Sequence, residues 1–133
     1  MQNLPKAAKV VIIGGGVIGA STAYHLSLHP SFRDTVLLEQ GSLTCGTTWH
    51  AAGLIGQMRS TSAEITLSKY GCELLDSLED QGYATGWQRC GSLSLSSCDE
   101  RMVHLKRNLS RARAFNIDAE LISAEEAFGK WPY

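Results

Sequence analysis

Val10-Val11-Ile12-Ile13 runs straight into Gly14-Gly15-Gly16-Val17-Ile18-Gly19. Four β-branched residues in a row read as a short strand buried on both faces, the kind found in the middle of a parallel sheet. The glycines fit G-x-G-x-x-G with a strand before and a helical pattern after, which is the context that gives the motif meaning. Gly14 permits the tight turn, Gly16 lets the backbone approach a pyrophosphate, and Gly19 lets the helix lie against the sheet. A pyrophosphate would then sit on the free N–H groups and positive dipole end of that helix.

The helix is expected over Gly16 to Ser27, with Val17, Ile18, Ala20, Ala23 and Leu26 as its apolar stripe and His29-Pro30 as its stop. After a turn at Ser31 to Asp34, Thr35-Val-Leu-Leu-Glu39 reads as a second buried strand. The first forty residues therefore form one βαβ unit with a right-handed crossover. Glu39 ends that strand about twenty residues beyond Gly19, where an acid accepts hydrogen bonds from adenosine ribose hydroxyls and disfavours a 2′-phosphate. NAD and FAD both satisfy these residues, and NADP does not.

Gly46-Thr47-Thr48-Trp49-His50-Ala51-Ala52-Gly53 follows on the side where the nucleotide would lie. Small residues and hydroxyls there suit a loop passing close to the phosphates and ribityl chain of an extended FAD. An NAD domain normally proceeds to its next crossover helix, so the segment favours FAD.

Beyond the loop, Thr61-x-x-Glu64 is a capping box for a helix to about Asp80, with Ile65, Leu67, Leu74, Leu75 and Leu78 as the buried stripe and Gly82 closing it. Trp87 to Leu95 reads as a strand or hairpin arm. Ser97-x-x-Glu100 opens a helix to about Phe115, whose Arg101, Lys106, Arg107, Arg111 and Arg113 form a solvated basic face. Ala119 to Ile122 reads as a strand, and Ser123-x-x-Glu126 starts a last short helix.

Composition narrows the partners. The 133 residues are 44% hydrophobic, which excludes a disordered tail, and 12 Lys and Arg against 13 Asp and Glu leave no field for nucleic acid or an anionic membrane. No run approaches the roughly 18 apolar residues of a membrane span. Cys45, Cys72, Cys90 and Cys98 lack metal-ligand spacing and read as free thiols. Met1 to Lys9 has neither a secretory apolar core nor an Arg-rich import helix. His25, His29 and His104 lack the company of a functional motif, and no residue of the chain is assigned a catalytic role.

Val11-Ile-Ile-Gly-Gly-Gly-Val-Ile-Gly19, Tyr24-His-Leu26, Val36-Leu-Leu-Glu39 and above all Leu43-Thr-x-Gly-Thr-Thr-Trp-His-Ala-Ala-Gly-Leu54 resemble the N-terminal part of the dimethylglycine and sarcosine dehydrogenase family, within the amine-oxidising flavoproteins. The resemblance continues more weakly through Leu78-Glu79, Thr85-Gly86, Gly91-Ser-Leu93 and the Arg101 to Arg107 helix, so it covers nearly the whole chain. His29-Pro-Ser-Phe-Arg33 replaces a shorter, glycine-containing turn, away from the pyrophosphate.

The resemblance implies an α/β, Rossmann-like FAD-binding domain of the glutathione-reductase-like type, incomplete over residues 1–133. It implies a cofactor site of Gly14, Gly16, Gly19, Glu39, Gly46, Thr47, Thr48, His50 and Gly53, with FAD bonded covalently to His50 through an imidazole nitrogen. The implied reaction is oxidative N-demethylation of a small methylated amino acid, with electrons passing to an electron-transfer flavoprotein and tetrahydrofolate capturing the one-carbon unit. The substrate site, the later strands and a folate-binding domain would lie beyond Tyr133, leaving the isolated polypeptide inactive. The implied compartment is the mitochondrial matrix, or the cytoplasm for a bacterial relative. Two alternatives stand beside this reading: another flavin amine oxidase, and a non-catalytic relative of the pyruvate dehydrogenase phosphatase regulatory subunit type, expected to depart at Trp49-His50.

Overall fold

The computed structural model describes residues 4–132; the first three residues of the Met1–Lys9 segment, and Tyr133, lie outside it. The chain divides into two compact units between Leu54 and Ile55.

The first unit is a βαβ motif. Strand β1 spans Val10–Ile13, helix α1 Val17–Ser27 and strand β2 Thr35–Leu38, with a 3-10 turn at Pro30–Phe32 between α1 and β2. The strands pair in parallel, Val10 opposite Thr35 through Ile13 opposite Leu38. Gly14 N–H donates to Leu38 O at 2.8 Å, carrying the ladder one residue into the glycine turn. α1 packs against both strands. The motif matches the expected order, and its β-branched strands and Pro30 stop work as the local rules require.

Burial departs from expectation. β1 is not buried on both faces: Ile12 is half-buried while Val11 and Ile13 are exposed, Ile13 at 88%. Alternation along a strand sends Ile12 toward α1 and its neighbours to the other face, which has no covering layer within the unit. Val17 and Ile18 of the expected stripe are exposed as well. Two strands about 4.8 Å apart are too narrow to cover the whole flank of a helix 10–12 Å across. The buried positions of this unit, among the described residues, are Gly15 and Gly19. Its tightest packing is thus backbone on backbone.

The second unit holds helices α2 (Ser62–Asp80), α3 (Asp99–Ala114) and α4 (Ala124–Lys130). Capping boxes open α2 and α4 as expected: Glu64 N–H donates to Thr61 Oγ1, and Glu126 N–H to Ser123 Oγ, with each glutamate returning to its cap residue's N–H. α3 differs. Its N-cap is Cys98 with no side-chain cap, so Ser97-x-x-Glu100 sits one residue out of register for a box. On α2, Ile65 is fully buried and Cys72 nearly so, whereas Leu67 of the expected stripe is 70% exposed. All four cysteines are free thiols.

Trp87 to Leu95 and Ala119 to Ile122 are not strands, because among the described residues neither has a ladder partner for its backbone. The first is held instead by carboxylates on α2. Glu79 accepts from Thr85 N–H at 2.7 Å and Trp87 N–H at 3.3 Å, while Asp76 accepts from the Trp87 indole at 2.8 Å and pairs with Arg89. Arg111 leaves the expected solvated face to donate to Arg59 O at 2.9 Å and to Ser60 O. Lys69 Nζ donates to Phe115 O at 2.7 Å, where α3 ends.

Because Ile65 is fully buried, Ile65→Ala should lower stability by about 2–5 kcal/mol. Leu67→Ala should change it by less than about 0.5 kcal/mol. Urea melts of the two variants check the contrast; equal losses would contradict this account of the core.

Candidate functional site

The site begins where β1 ends. Gly14 takes φ +104°, a left-handed value that a side chain disfavours, and this turns the chain from strand to helix. At Gly19 the constraint is space: a Cβ there would lie 1.9 Å from Gly14 O and 3.4 Å from Ile12 Cγ2. No atom can occupy that position, so only glycine lets α1 settle this close to the strand. α1 then begins at Val17 with Gly16 as N-cap and no acidic residue in its first turn. No acidic side chain of α1's own first turn faces its dipole.

Two side chains from distant sequence close on this turn. Glu39 Oε2 accepts from Gly15 N–H at 2.7 Å, and its Oε1 accepts from Gly41 N–H at 2.9 Å. These bonds, Gly15's first, hold the Glu39 carboxyl below the usual carboxylate range. A carboxylate offers about four acceptor positions, so the two oxygens retain capacity for further donors. Thr48 Oγ1 accepts from Val17 N–H at 2.9 Å, supplying to α1 the cap that Gly16 lacks.

Backbone bonds complete the arrangement. Thr44, at φ +67°, donates its N–H to Gly15 O at 3.0 Å, and Trp49 N–H donates to Thr44 O at 3.1 Å. Residues Thr47–His50 form a 3-10 turn in the segment expected to be loop. His50 Nδ1 lies 3.0 Å from Gly46 O. A carbonyl only accepts, so Nδ1 is the donor in this contact. Trp49 is 78% exposed beside it.

Of the sequence-derived site residues, Gly14, Gly16, Gly19, Glu39 and Thr48 meet at one turn. Gly46 joins through His50, and Thr47 is an exposed start of the 3-10 turn. Gly53 lies beyond the turn at φ +73°. The motif reading passed over Gly15 and Thr44, whose backbone groups join the turn to Glu39 and to the 3-10 segment. A residue written as x in G-x-G-x-x-G carries no signal for a backbone bond, although the positive φ of Thr44 marks a constrained position.

The arrangement suits a dinucleotide. A Cβ placed on Gly14 meets nothing within 4 Å, so the outer side of the turn is open where a side chain would otherwise stand. The N-terminal end of α1 follows it, and Glu39, bonded to Gly15 N–H, is an acceptor with spare capacity.

A family model described as FAD dependent oxidoreductase matches residues 9–133. The mitochondrial pyruvate dehydrogenase phosphatase regulatory subunit of Mus musculus is 43% identical over 92% of this chain and 14% of its own length. Mitochondrial sarcosine dehydrogenase of Mus musculus is 38% identical over 98% of this chain and 14% of its own length. The crystal structure of L-proline dehydrogenase from P. horikoshii superposes with a TM-score of 0.83 at 27% identity, covering 95% of this chain and 33% of that one. Dimethylglycine dehydrogenases are also among the relatives. The chain spans 14% of the length of the two mouse relatives. No helix of the described residues is long and apolar enough to cross a membrane.

Glu39 makes the grip acid-sensitive. Its folded pKa lies below the ordinary glutamate value, so its contribution is present above that ordinary value and is lost as pH falls through the lowered one. Thermal melts of wild type and Glu39→Gln should differ most at pH 7 and draw together as the solution is acidified. A gap that stays the same at every pH would contradict the assignment.

Proposed function

The chain belongs to the FAD-dependent oxidoreductase family, and from that membership we propose that it carries the cofactor-holding segment of an amine dehydrogenase acting on a small N-methylated amino acid. The single observation that carries the reading is the joining of the glycine turn, Glu39 and the Thr47–His50 turn into one hydrogen-bonded unit. In this reading the diphosphate rests on the leading N–H groups of α1, and the ribose hydroxyls donate to the remaining lone pairs of Glu39. Thr47 and Gly53 border the path of the extended cofactor.

His50 is the proposed attachment residue. Its Nδ1–H is engaged by Gly46 O, which leaves Nε2 as the nitrogen that would bond the 8α-methyl carbon of the flavin; that carbon would give up a proton, and the flavin ring would take the two electrons and pass them to the electron acceptor. Bound FAD supplies the oxidant, accepting two electrons and a proton from the N-methyl carbon. The chain's own residues hold and orient that cofactor, and none of them touches the reacting carbon in this proposal.

The sarcosine dehydrogenase relative supports a methylated amino acid as substrate. We extend the reading to an electron-transfer flavoprotein as acceptor, tetrahydrofolate as a one-carbon acceptor in a full-length form, and the mitochondrial matrix as compartment. The mouse relatives named as mitochondrial support the last. The uncovered Val11 and Ile13 face supports placing the substrate site and the rest of the sheet outside these residues, with no turnover by the 133-residue polypeptide alone. The regulatory-subunit relative, at 43% identity, favours a second reading in which the cofactor fold is kept without amine oxidation. Trp49-His50 favours the enzyme.

Acid precipitation of the longest native form tests the attachment. Flavin fluorescence should stay in the wild-type pellet and move to the supernatant for His50→Ala. Wild-type fluorescence wholly in the supernatant would overturn attachment while leaving noncovalent FAD. Anaerobic addition of sarcosine or dimethylglycine should bleach the flavin of the same protein; no bleaching by any methylated amino acid would favour the regulatory reading.

A further inference from the structure

We propose that Thr48 is a positioning residue whose hydroxyl fixes the His50-bearing turn on the N-terminal end of α1, and so sets where the imidazole stands relative to a bound dinucleotide. The inference rests on the reading of His50 as the attachment residue.

Gly16 brings no side chain to the start of α1, and the cap arrives from 31 residues along the chain, as Thr48 Oγ1 under Val17 N–H. The approach is close: a Cβ on Gly16 would stand 3.0 Å from that oxygen. Thr48 is half-buried while Thr47, Trp49 and His50 are exposed, so it is the member of the turn that faces the protein. His50 follows two residues later in the same 3-10 turn, with its ring tied back to Gly46.

The segment from Thr44 to His50 is consequently held to the glycine turn at two points, Thr44 N–H on Gly15 O and Thr48 Oγ1 on Val17 N–H. The first holds the entry to the segment. The second holds the turn itself; without it the His50 turn reaches the glycine turn only through Thr44, whose carbonyl accepts from Trp49 N–H at 3.1 Å. Having accepted from Val17, the Thr48 hydroxyl still carries its own proton, which it can donate only to an acceptor such as a diphosphate oxygen. One hydroxyl therefore registers the helix end, the His50 turn and an anionic ligand against each other.

The test compares Thr48→Val, Thr48→Ser and His50→Ala in the longest native form of the protein, with FAD added to apoprotein for a fixed short time. Two quantities are read: total flavin retained after gel filtration, and the share of it that resists acid precipitation. Thr48→Val should lower the acid-resistant share about fivefold to tenfold, the effect of one lost hydrogen bond. Thr48→Ser should restore it, and His50→Ala should abolish it. A wild-type share in Thr48→Val, or an equal loss in Thr48→Ser, overturns the positioning role. So does a fall in total flavin with the share unchanged, which would make Thr48 a ligand only. Wild-type protein with no acid-resistant flavin overturns attachment at His50 and this inference with it.

Discussion

The approach of α1 to the end of β1 is the constraint on which the first unit depends. With a Cβ on Gly19 placed 1.9 Å from Gly14 O, the backbone of the helix and that of the turn meet with no side chain between them. No large side chain is fully buried in this unit among the described residues, so its closest contact is not made by side chains. The glycine contact makes it, and so fixes how near the start of α1 comes to the turn. A methyl group at this position has to displace backbone, which places its cost at or above the upper end of the usual 1–3 kcal/mol for overpacking.

Once that turn is set, the remaining parts divide its polar groups without conflict. Glu39 brings a negative charge next to a place suited to an anionic ligand, an arrangement that like-charge repulsion would oppose if both used the same donors. They do not. Glu39 takes the N–H groups of Gly15 and Gly41, while Thr48 takes that of Val17, so the carboxylate and the cap of α1 use different donors. The carboxylate thereby stiffens the turn from one side, and its two oxygens keep acceptor capacity for neutral hydroxyl donors.

Much of this was legible in the sequence because it depends on local rules. A β-branched run, three spaced glycines, a Pro stop and an acid at the end of the next strand each act within a few residues, and together they locate β1, α1, β2 and the turn. The capping boxes at Thr61 and Ser123 are equally local. What was not legible depends on partners. Trp87 to Leu95 has the alternation of a strand, but Asp76 and Glu79 bind its beginning to a helix. Arg111 has the spacing of a solvated face, but backbone carbonyls at Arg59 and Ser60 engage it. The link from Thr48 to Val17 lies in the same class, since nothing in G-x-G-x-x-G announces that its helix will be capped from the far side of the next strand.

The central claim is that this turn, with Glu39 and the Thr47–His50 segment, holds FAD. Complete proteolysis of the native protein in its longest form, followed by identification of every nucleotide released, tests that most directly. Recovery of flavin adenine dinucleotide at about one per chain, free or joined to a peptide containing His50, is the expected result. Recovery of a nicotinamide dinucleotide, or of no dinucleotide from correctly folded protein, would contradict it.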